Sequence, residues 1–503
     1  MRSGSIEIKQ KQEPGLASDV ALTALTQVAV MIGTLILYGL IARIFGPNGV
    51  GEYTIIRRAL YFLQPLILVG VTVAVPRYIA MSTRTDEREQ IAGIGVFLVL
   101  LCSLLTAVAT LCFRDSLSVT VFGRRDALEL VYGFAALTLG FGFHSVAYSY
   151  YRGLRDMSTA NRLDLFNSCL APLTALVLTT HLGLGALIGV LGMLMIFATV
   201  FFSTALWKDI GFFLRKRNLN TGLTTNLLRY GVSRIPGDLA LAGLLFGGTY
   251  IVAREASIQQ AGYFGVAQTL LMLPGAALFA ISVVLLPYVS ERLTAGDFLS
   301  VQINVARLFQ AIADVSVYFS LHVALFADVI IRLWLGEKMH GAEEAVRTLM
   351  VSVPFYSIFF VFRSVIDAAS HKPVTTFNLI ISFICFVALY FVFKYAELGP
   401  SRAVTWALSV AFVILGVLTI VGVKRHVGIE AGFYSGMSKA FLTNVTIALA
   451  VFWARYLIDG SDGIWIVVEL LCALTFLLSL YLQKRIWIAE FFGQASQFLR
   501  PRN

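Results

Sequence analysis

Residues 42–78 read ARIFGPNGVGEYTIIRRALYFLQPLILVGVTVAVPRY, and residues 253–288 read AREASIQQAGYFGVAQTLLMLPGAALFAISVVLLPY. Laid over each other at an offset of about 210 residues, the two stretches agree at their landmarks. Ala42-Arg43 meets Ala253-Arg254, Tyr53 meets Tyr263, Tyr78 meets Tyr288, and Pro76 falls within one residue of Pro287. Each stretch is an apolar run punctuated by Gly and Pro, so the match describes a helical unit that occurs twice. A unit containing an even number of membrane-crossing helices returns to its starting side, and its two copies are then related by an axis along the membrane normal.

The composition requires a membrane. Hydrophobic residues make up 58% of the 503 and charged residues only 14%, against about 25% charged in an ordinary soluble domain. About 20 apolar residues span about 30 Å of hydrocarbon as a helix. Runs of that kind place spans near 17–44, 52–80, 91–113, 127–152, 160–181, 184–207, 223–253, 259–290, 299–334, 344–369, 374–395, 402–423, 435–457 and 463–483. The expected fold is an all-α integral membrane protein of about 14 transmembrane helices. Two six-helix lobes, related by a pseudo-twofold along the membrane normal, carry two extra C-terminal helices. In domain terms, a tail (1–16) precedes an N-lobe (17–207), an inter-lobe loop (208–222), a C-lobe (223–425), helices 13 and 14 (426–484) and a second tail (485–503). The polar first fifteen residues and the long run after them do not form a cleavable signal.

Charge sets the orientation. Lys9, Lys11, Arg84, Arg88, Arg152, Arg155, Lys208, Arg215, Lys216, Arg217, Arg292, Lys372, Lys424, Arg425, Lys484 and Arg485 fall on one side of the proposed topology. By the positive-inside bias that side, with both termini, is cytoplasmic. Arg114, Arg124 and Arg125 form one contrary cluster. The net charge of +10 is therefore a topology signal, and no Lys/Arg stripe with interleaved aromatics offers a nucleic-acid footprint. Cys102, Cys112, Cys169, Cys385 and Cys472 match neither zinc nor disulfide spacing and read as small apolar residues.

With the repeat and the spans in place, several motifs resemble one family. "ARIFGPNGVGEYTIIRRAL" is similar to the second-helix region of polysaccharide and O-antigen flippases of the multidrug/oligosaccharidyl-lipid/polysaccharide exporter superfamily. "LLRYGVSRIPGDLALAG" (227–243), "QQAGYFGVAQTLLMLP" (259–274), "LPYVSE" (286–291) and "LWLGEKMHGAEEAVRTLMVSVPF" (333–355) resemble their seventh-helix, eighth-helix and tenth-helix regions in order. The resemblance spans roughly residues 17–430. It implies a two-lobed core that moves a polyprenyl-pyrophosphate-linked glycan across the cytoplasmic (inner) membrane by alternating access. It also implies membrane lipids as neighbours, and a glycan polymerase or glycosyltransferases as possible partners. It implies no catalytic set.

The residues themselves add chemistry. No G-x-x-x-x-G-K-[ST] stretch occurs, so the drive is an ion gradient, H+ or Na+, or consumption of the product. "GLGALIG" (183–189) reads as a small-residue packing face. Ionisable groups within spans are costly and face partners or water. Arg234 and Asp238, four apart, share a helix face, as do Arg363 and Asp367, and Arg307 and Asp314, seven apart, also align. Arg57 and Arg58 are adjacent, about 100° apart, so one is expected inside and one at the interface. Two phosphates would be met by arginines, which stay charged and bind phosphate in a bidentate fork. The substrate-binding candidates are thus Arg234, Arg307, Arg363, Arg57 and Arg58, with Asp238, Asp314 and Asp367 as coupling or charge-pair residues. A purely structural reading makes each pair a packing contact. His144 reads as a satisfied interior histidine before a proton relay, and Tyr148, Tyr150 and Tyr151 as an interfacial belt before a sugar-stacking surface. A multidrug or peptidoglycan-precursor exporter of the same superfamily is the alternative. An embedded glycosyltransferase would need larger acidic loops, and a mere scaffold would leave the intramembrane charges unexplained.

Overall fold

The computed structural model describes residues 16–82, 84–216, 221–232, 235–370, 372–428, 434–457 and 462–482, and these are helical apart from short turns. α1 (Leu16–Leu68) is two helices in line, broken at Gly46, whose φ of 67° suits glycine. Pro47 restarts the helix, because its fixed φ fits a first turn. Val69 (φ 47°) and Gly70 (φ 71°) break the chain again before α2 (Val71–Met81). The N-terminal half continues through α3 (Thr85–Cys112), α4 (Arg114–Phe122), α5 (Leu128–Gly153), α6 (Met157–Leu165), α7 (Ala171–Thr179), α8 (Leu184–Phe202) and α9 (Thr204–Lys216).

The second half begins with α10 (Thr221–Val232), α11 (Ile235–Glu255), α12 (Ile258–Ala277) and α13 (Phe279–Thr294). It goes on through α14 (Phe298–Leu325), α15 (Ala327–Leu335), α16 (Glu343–Met350), α17 (Val353–Ala369), α18 (Val374–Tyr395) and α19 (Pro400–Val427). α20 (Tyr434–Leu457) and α21 (Asp462–Leu482) follow the second half. The bundle has one end at Gly46 and Ser257, called here the Gly46 end, and the other at Arg84 and Ala295, the Arg84 end.

The repeat is visible in where helices break. The turn at Gly46 has its counterpart at Ser257, the Val69–Gly70 break at Leu278, and the turn at Ser82 at Ala295. Each pair lies within a few residues of the 210-residue offset. Tyr53 and Tyr263 are both buried early in the helix that follows the first turn. The fold is accordingly all-α and two-lobed, with α20 and α21 appended.

Among the described residues eight helices are long and apolar enough to cross a membrane unaided, or nine counting α16 and α17, bent by 56°, as one span. Of the other expected spans, 52–80, 160–181 and 259–290 are helices in pieces, while 435–457 and 463–483 are the continuous helices α20 and α21. The span expected at 160–181 is divided by a π turn at Phe166–Leu170. Pro172 has no N–H to give, and the preceding turn widens so that the Ala171 N–H reaches Phe166 O five residues back. Two expected loops are helical instead. Residues 114–122 form α4, and 204–216 form α9, whose Leu206 and Asp209 turn inward while Lys208 and Arg215 do not. Charge alone had marked both as loops, and amphipathic helices lying at an interface carry the same composition.

Leu25, Phe97, Leu105, Val177, Phe197, Phe201, Leu470 and Leu474 are exposed. A belt of large apolar side chains of this kind is lipid-facing, and the chain is a multi-pass membrane protein. Inside, α5 lies against α8 glycine to glycine: a Cβ at Gly185 would stand 2.7 Å from the Glu129 backbone, and one at Gly192 2.5 Å from Ala136. The small-residue face read from "GLGALIG" is thus a close helix crossing.

Candidate functional site

The two halves meet along a seam between α1 and α12 at the Gly46 end. A Cβ on Gly51 would come within 2.0 Å of the Ile258 carbonyl oxygen, and one on Gly262 within 2.6 Å of the Pro47 carbonyl. Only glycine permits this approach. Around it, Trp334 Nε1 donates to Leu35 O at 2.7 Å, Arg43 Nη2 to Leu333 O at 2.8 Å, and Arg254 Nη1 to Val119 O at 3.0 Å. These are three contacts between halves, each from a side chain to a backbone carbonyl.

Deeper along the same seam the arginines gather. Arg57 Nη2 donates to the Tyr61 hydroxyl at 3.0 Å, and its guanidinium lies 5.7 Å from the Tyr53 ring and 5.8 Å from the Tyr61 ring. Arg58 is buried and reaches across to α12, where Nη1 meets Met272 Sδ at 3.1 Å, while its Nε has no partner among the described residues. Arg58 is within electrostatic range of Tyr38, Tyr61 and Tyr356, and Tyr356 is within range of both Arg58 and Arg363. Arg363, on α17, stands 5.0 Å over the Phe360 ring. Three cations from both halves thus share one aromatic neighbourhood. Among the described residues none of the three is within ion-pair distance of a carboxylate.

This differs from the expected pattern in three respects. Arg57 and Arg58 both turn inward: the long side chains fan out from adjacent backbone positions, one along its own helix and one across the seam. Arg363 and Asp367 are not paired, because Arg363 lies back over Phe360 while Asp367 accepts from Thr375 Oγ1 at 2.8 Å beyond the turn into α18. Arg307 is exposed on α14 whereas Asp314 is buried, so seven residues of spacing leave them in different surroundings. Asp238 is exposed near the start of α11, and Arg234 lies outside the described residues.

A second polar group, missed in the sequence, sits in the N-terminal half. Asp164 accepts from Gln27 Nε2 and Ser168 Oγ, both at 2.8 Å, and is within electrostatic range of Tyr61 and His144. His144 Nδ1 meets Asn167 Nδ2 at 2.8 Å and its ring stacks on Tyr148. The π turn beside Asp164 was the signal available, since such turns cluster at functional sites, but its trace in the sequence is a single proline. His144 is an interior histidine with a partner. Tyr150 donates to Asp209 at 2.5 Å and Tyr151 to Phe202 O at 3.4 Å, so these two tie α5 to the α8–α9 corner.

The same stretch of α1 also borders an apolar recess of about 520 Å³ between α1, α3, α4, α5 and α11, which none of the three arginines lines. Ile55, Ile56 and Ala59, from the same turns as Arg57 and Arg58, line it, and Phe62 and Phe246, 5.3 Å apart, meet at its wall.

The fold and this interior define a two-lobed, all-helical membrane protein with a cationic, aromatic-lined seam between its halves. The model of the family described as polysaccharide biosynthesis protein matches residues 16–292, and the chain belongs to that family. No curated protein sequence matches it significantly. Among solved structures it is similar to the lipid II flippase MurJ in an inward closed conformation, with a TM-score of 0.73 at 14% identity. That likeness covers 94% of this chain and 99% of the other. It is also similar to a multidrug resistance MATE family transporter of the MOP superfamily in an inward-facing conformation, with a TM-score of 0.63 at 16% identity. There the coverage is 85% and 95%.

Proposed function

We propose that this chain is a flippase that carries a polyprenyl-pyrophosphate-linked oligosaccharide from the cytoplasmic to the outer leaflet of the cell membrane. The observation that carries the reading is the gathering of Arg57, Arg58 and Arg363 in the seam with no carboxylate of the described residues in ion-pair distance. A cation at mid-span costs about 2.5–3.5 kcal/mol on insertion scales, and a packing role would be met more cheaply by apolar side chains. Arg57, held by the Tyr61 hydroxyl, and Arg363, held over aromatic faces, are placed with Arg58 for a dianionic head group. The apolar recess on the same helix fits the tail of an amphipathic ligand. A cationic drug would meet the wrong sign of charge here. A peptidoglycan precursor, which also carries a lipid pyrophosphate, remains the second reading, favoured by the likeness to MurJ.

In this reading the Arg84 end is cytoplasmic by its lysines and arginines. The tight Gly46 seam then closes the outer side, and the cargo head enters from within. Transport requires the seam to part and the Arg84 end to close in turn. Asp164, which the sequence did not mark, is within electrostatic range of Tyr61, the hydroxyl partner of Arg57.

Deleting the protein is expected to leave lipid-linked glycan exposed to the cytoplasm and absent from the surface. Normal surface glycan in the deletion strain, with no redundant homologue, overturns the reading. The orientation has its own test. A cysteine replacing Gly428 is expected to be shielded from an impermeant thiol reagent in intact cells, and one replacing Glu337, which is exposed, to react. The opposite pattern reverses the topology without touching the site.

A further inference from the structure

The two appended helices carry a titratable cluster that neither the repeat nor the seam uses. On α14, Tyr318 and His322 are four residues apart and so share a face, which meets α21. His322 is 3% exposed, and its Nδ1 stands 2.7 Å from Glu469 Oε2; Tyr318 donates to the other carboxylate oxygen at 3.0 Å. The Tyr318 ring is stacked between His322 (4.0 Å) and Phe476 (4.3 Å). With Nδ1–H donated to the carboxylate, the neutral imidazole has a bare lone pair on Nε2, and that buried nitrogen has no hydrogen-bond partner among the described residues. Most buried polar atoms find a partner, so an open acceptor at this joint calls for a role beyond holding α21 in place.

We propose that His322 and Glu469 form a proton-binding site at the α14–α21 contact, and that its loading and unloading couple a proton to the transport cycle. Without the added proton, the pair is neutral imidazole beside carboxylate, a net −1 inside a span. A hydronium ion gives its proton to the Nε2 lone pair, its O–H bond breaks to leave water, and imidazolium and carboxylate then neutralise one another. Both states retain the Nδ1–Glu469 contact, so the proton changes the charge of the joint and not its geometry.

The surrounding groups fit such a site. Glu469 is about a third exposed, which gives protons an approach. Cys472 on α21 is in electrostatic range of Tyr318 and Glu469. Toward the Gly46 end, Asp328 pairs with Arg455 of α20 at 2.7 Å and faces Arg347 of α16 at 3.7 Å. A groove of about 650 Å³ beside Leu321 and Leu325 opens at these three charges. Toward the middle of α14, two turns back, lies buried Asp314, whose carbonyl accepts from Asn444 of α20 at 3.2 Å. The face of α14 turned to the appended helices therefore bears Asp314, Tyr318 and His322, and Asp328 at the start of α15 carries the line of ionisable groups on toward the Gly46 end.

The coupling part of this proposal rests on the transport reading, and the binding part does not, so two measurements separate them. In the full-length protein in lipid nanodiscs labelled with 15N-histidine, one Nε2 resonance is expected to titrate from bare to protonated and to vanish in His322→Gln. Glu469→Gln, a milder change, is expected to lower that site's proton affinity about tenfold or more, since an adjacent carboxylate holds the charged form. An His322 Nε2 that stays unprotonated from pH 5 to 9, or a midpoint unmoved by Glu469→Gln, overturns the site. In proteoliposomes, an imposed pH gradient is expected to accelerate translocation of a short lipid-pyrophosphate sugar by wild type but not by either variant. Equal gradient stimulation in wild type and both variants overturns the coupling. If wild type translocates nothing while the resonance titrates, the transport reading fails and the proton site stands.

Discussion

Arg57→Ala with Arg363→Ala is expected to abolish translocation of a lipid-pyrophosphate sugar in proteoliposomes while leaving a folded, inserted protein. Each arginine can place two charge-assisted donors on phosphate oxygens, and losing one such partner costs about 1.5–3 kcal/mol. That is about ten- to a hundredfold per residue, and more than a hundredfold for the pair if both act on one ligand. Lysine at the same positions keeps the charge but not the fork, so an intermediate rate is expected. Arg58 separates function from packing. Its Nε is buried without a partner among the described residues, and Arg58→Leu removes a buried charge of similar bulk. If Arg58 only packs, that variant is as stable as wild type or more so and remains active, because replacing buried charge by apolar bulk is often neutral or stabilising. If it binds cargo, stability holds and transport falls. Wild-type rates from a well-folded Arg57→Ala, Arg363→Ala protein would remove these residues from the site.

The second large effect concerns the seam. Gly51→Val places a Cβ where the Ile258 carbonyl oxygen is 2.0 Å away. Backbone atoms cannot rotate aside as a side chain can, so α1 and α12 must part. The Gly46 end then cannot seal, and the protein is expected to be held open at that end, with translocation reduced at least tenfold. Accessibility reads this directly: a cysteine at Thr54, wholly buried opposite Gly265, should resist a thiol reagent alone and react in the Gly51→Val background. Gly262→Val, against the Pro47 carbonyl, should act in the same way. Full transport with Thr54→Cys still shielded would mean that the seam is not a gate. Overpacking of a core that does not move costs typically about 1–3 kcal/mol and changes stability without this labelling pattern.

Some of the architecture could be read from one dimension and some could not, and the difference is physical. Bilayer thickness converts directly into run length, so apolar runs such as 91–113 and 402–423 are close to α3 and α19 as found. Backbone conformation at Gly46, Val69–Gly70 and Leu278 depends on local residues too, which is why the duplication was visible at its landmarks. Helices in pieces were harder. The π turn beside Asp164 and the amphipathic helices α4 and α9 depend on partners elsewhere in the chain, and hydropathy counts only what is adjacent.

The candidate site illustrates the same limit at the scale of side chains. Sequence spacing put Arg363 beside Asp367 because residues four apart share a helix face, but an aromatic ring one turn back and a threonine on the next helix claimed the two groups instead. Tyr61, Tyr356 and Met272 had no reason to be singled out, since each becomes part of a site only when α1, α12 and α17 converge. The same holds for His322 and Glu469, 147 residues apart in sequence and 2.7 Å apart in space. The sequence by itself determined the solvent, the helical class, the duplication and the presence of costly intramembrane arginines. These follow from transfer free energy and periodicity, which are sums over neighbours along the chain. Which arginines meet, what holds them, and where a proton can sit were decided by the tertiary structure alone, because low-dielectric electrostatics acts between groups that are neighbours only in space.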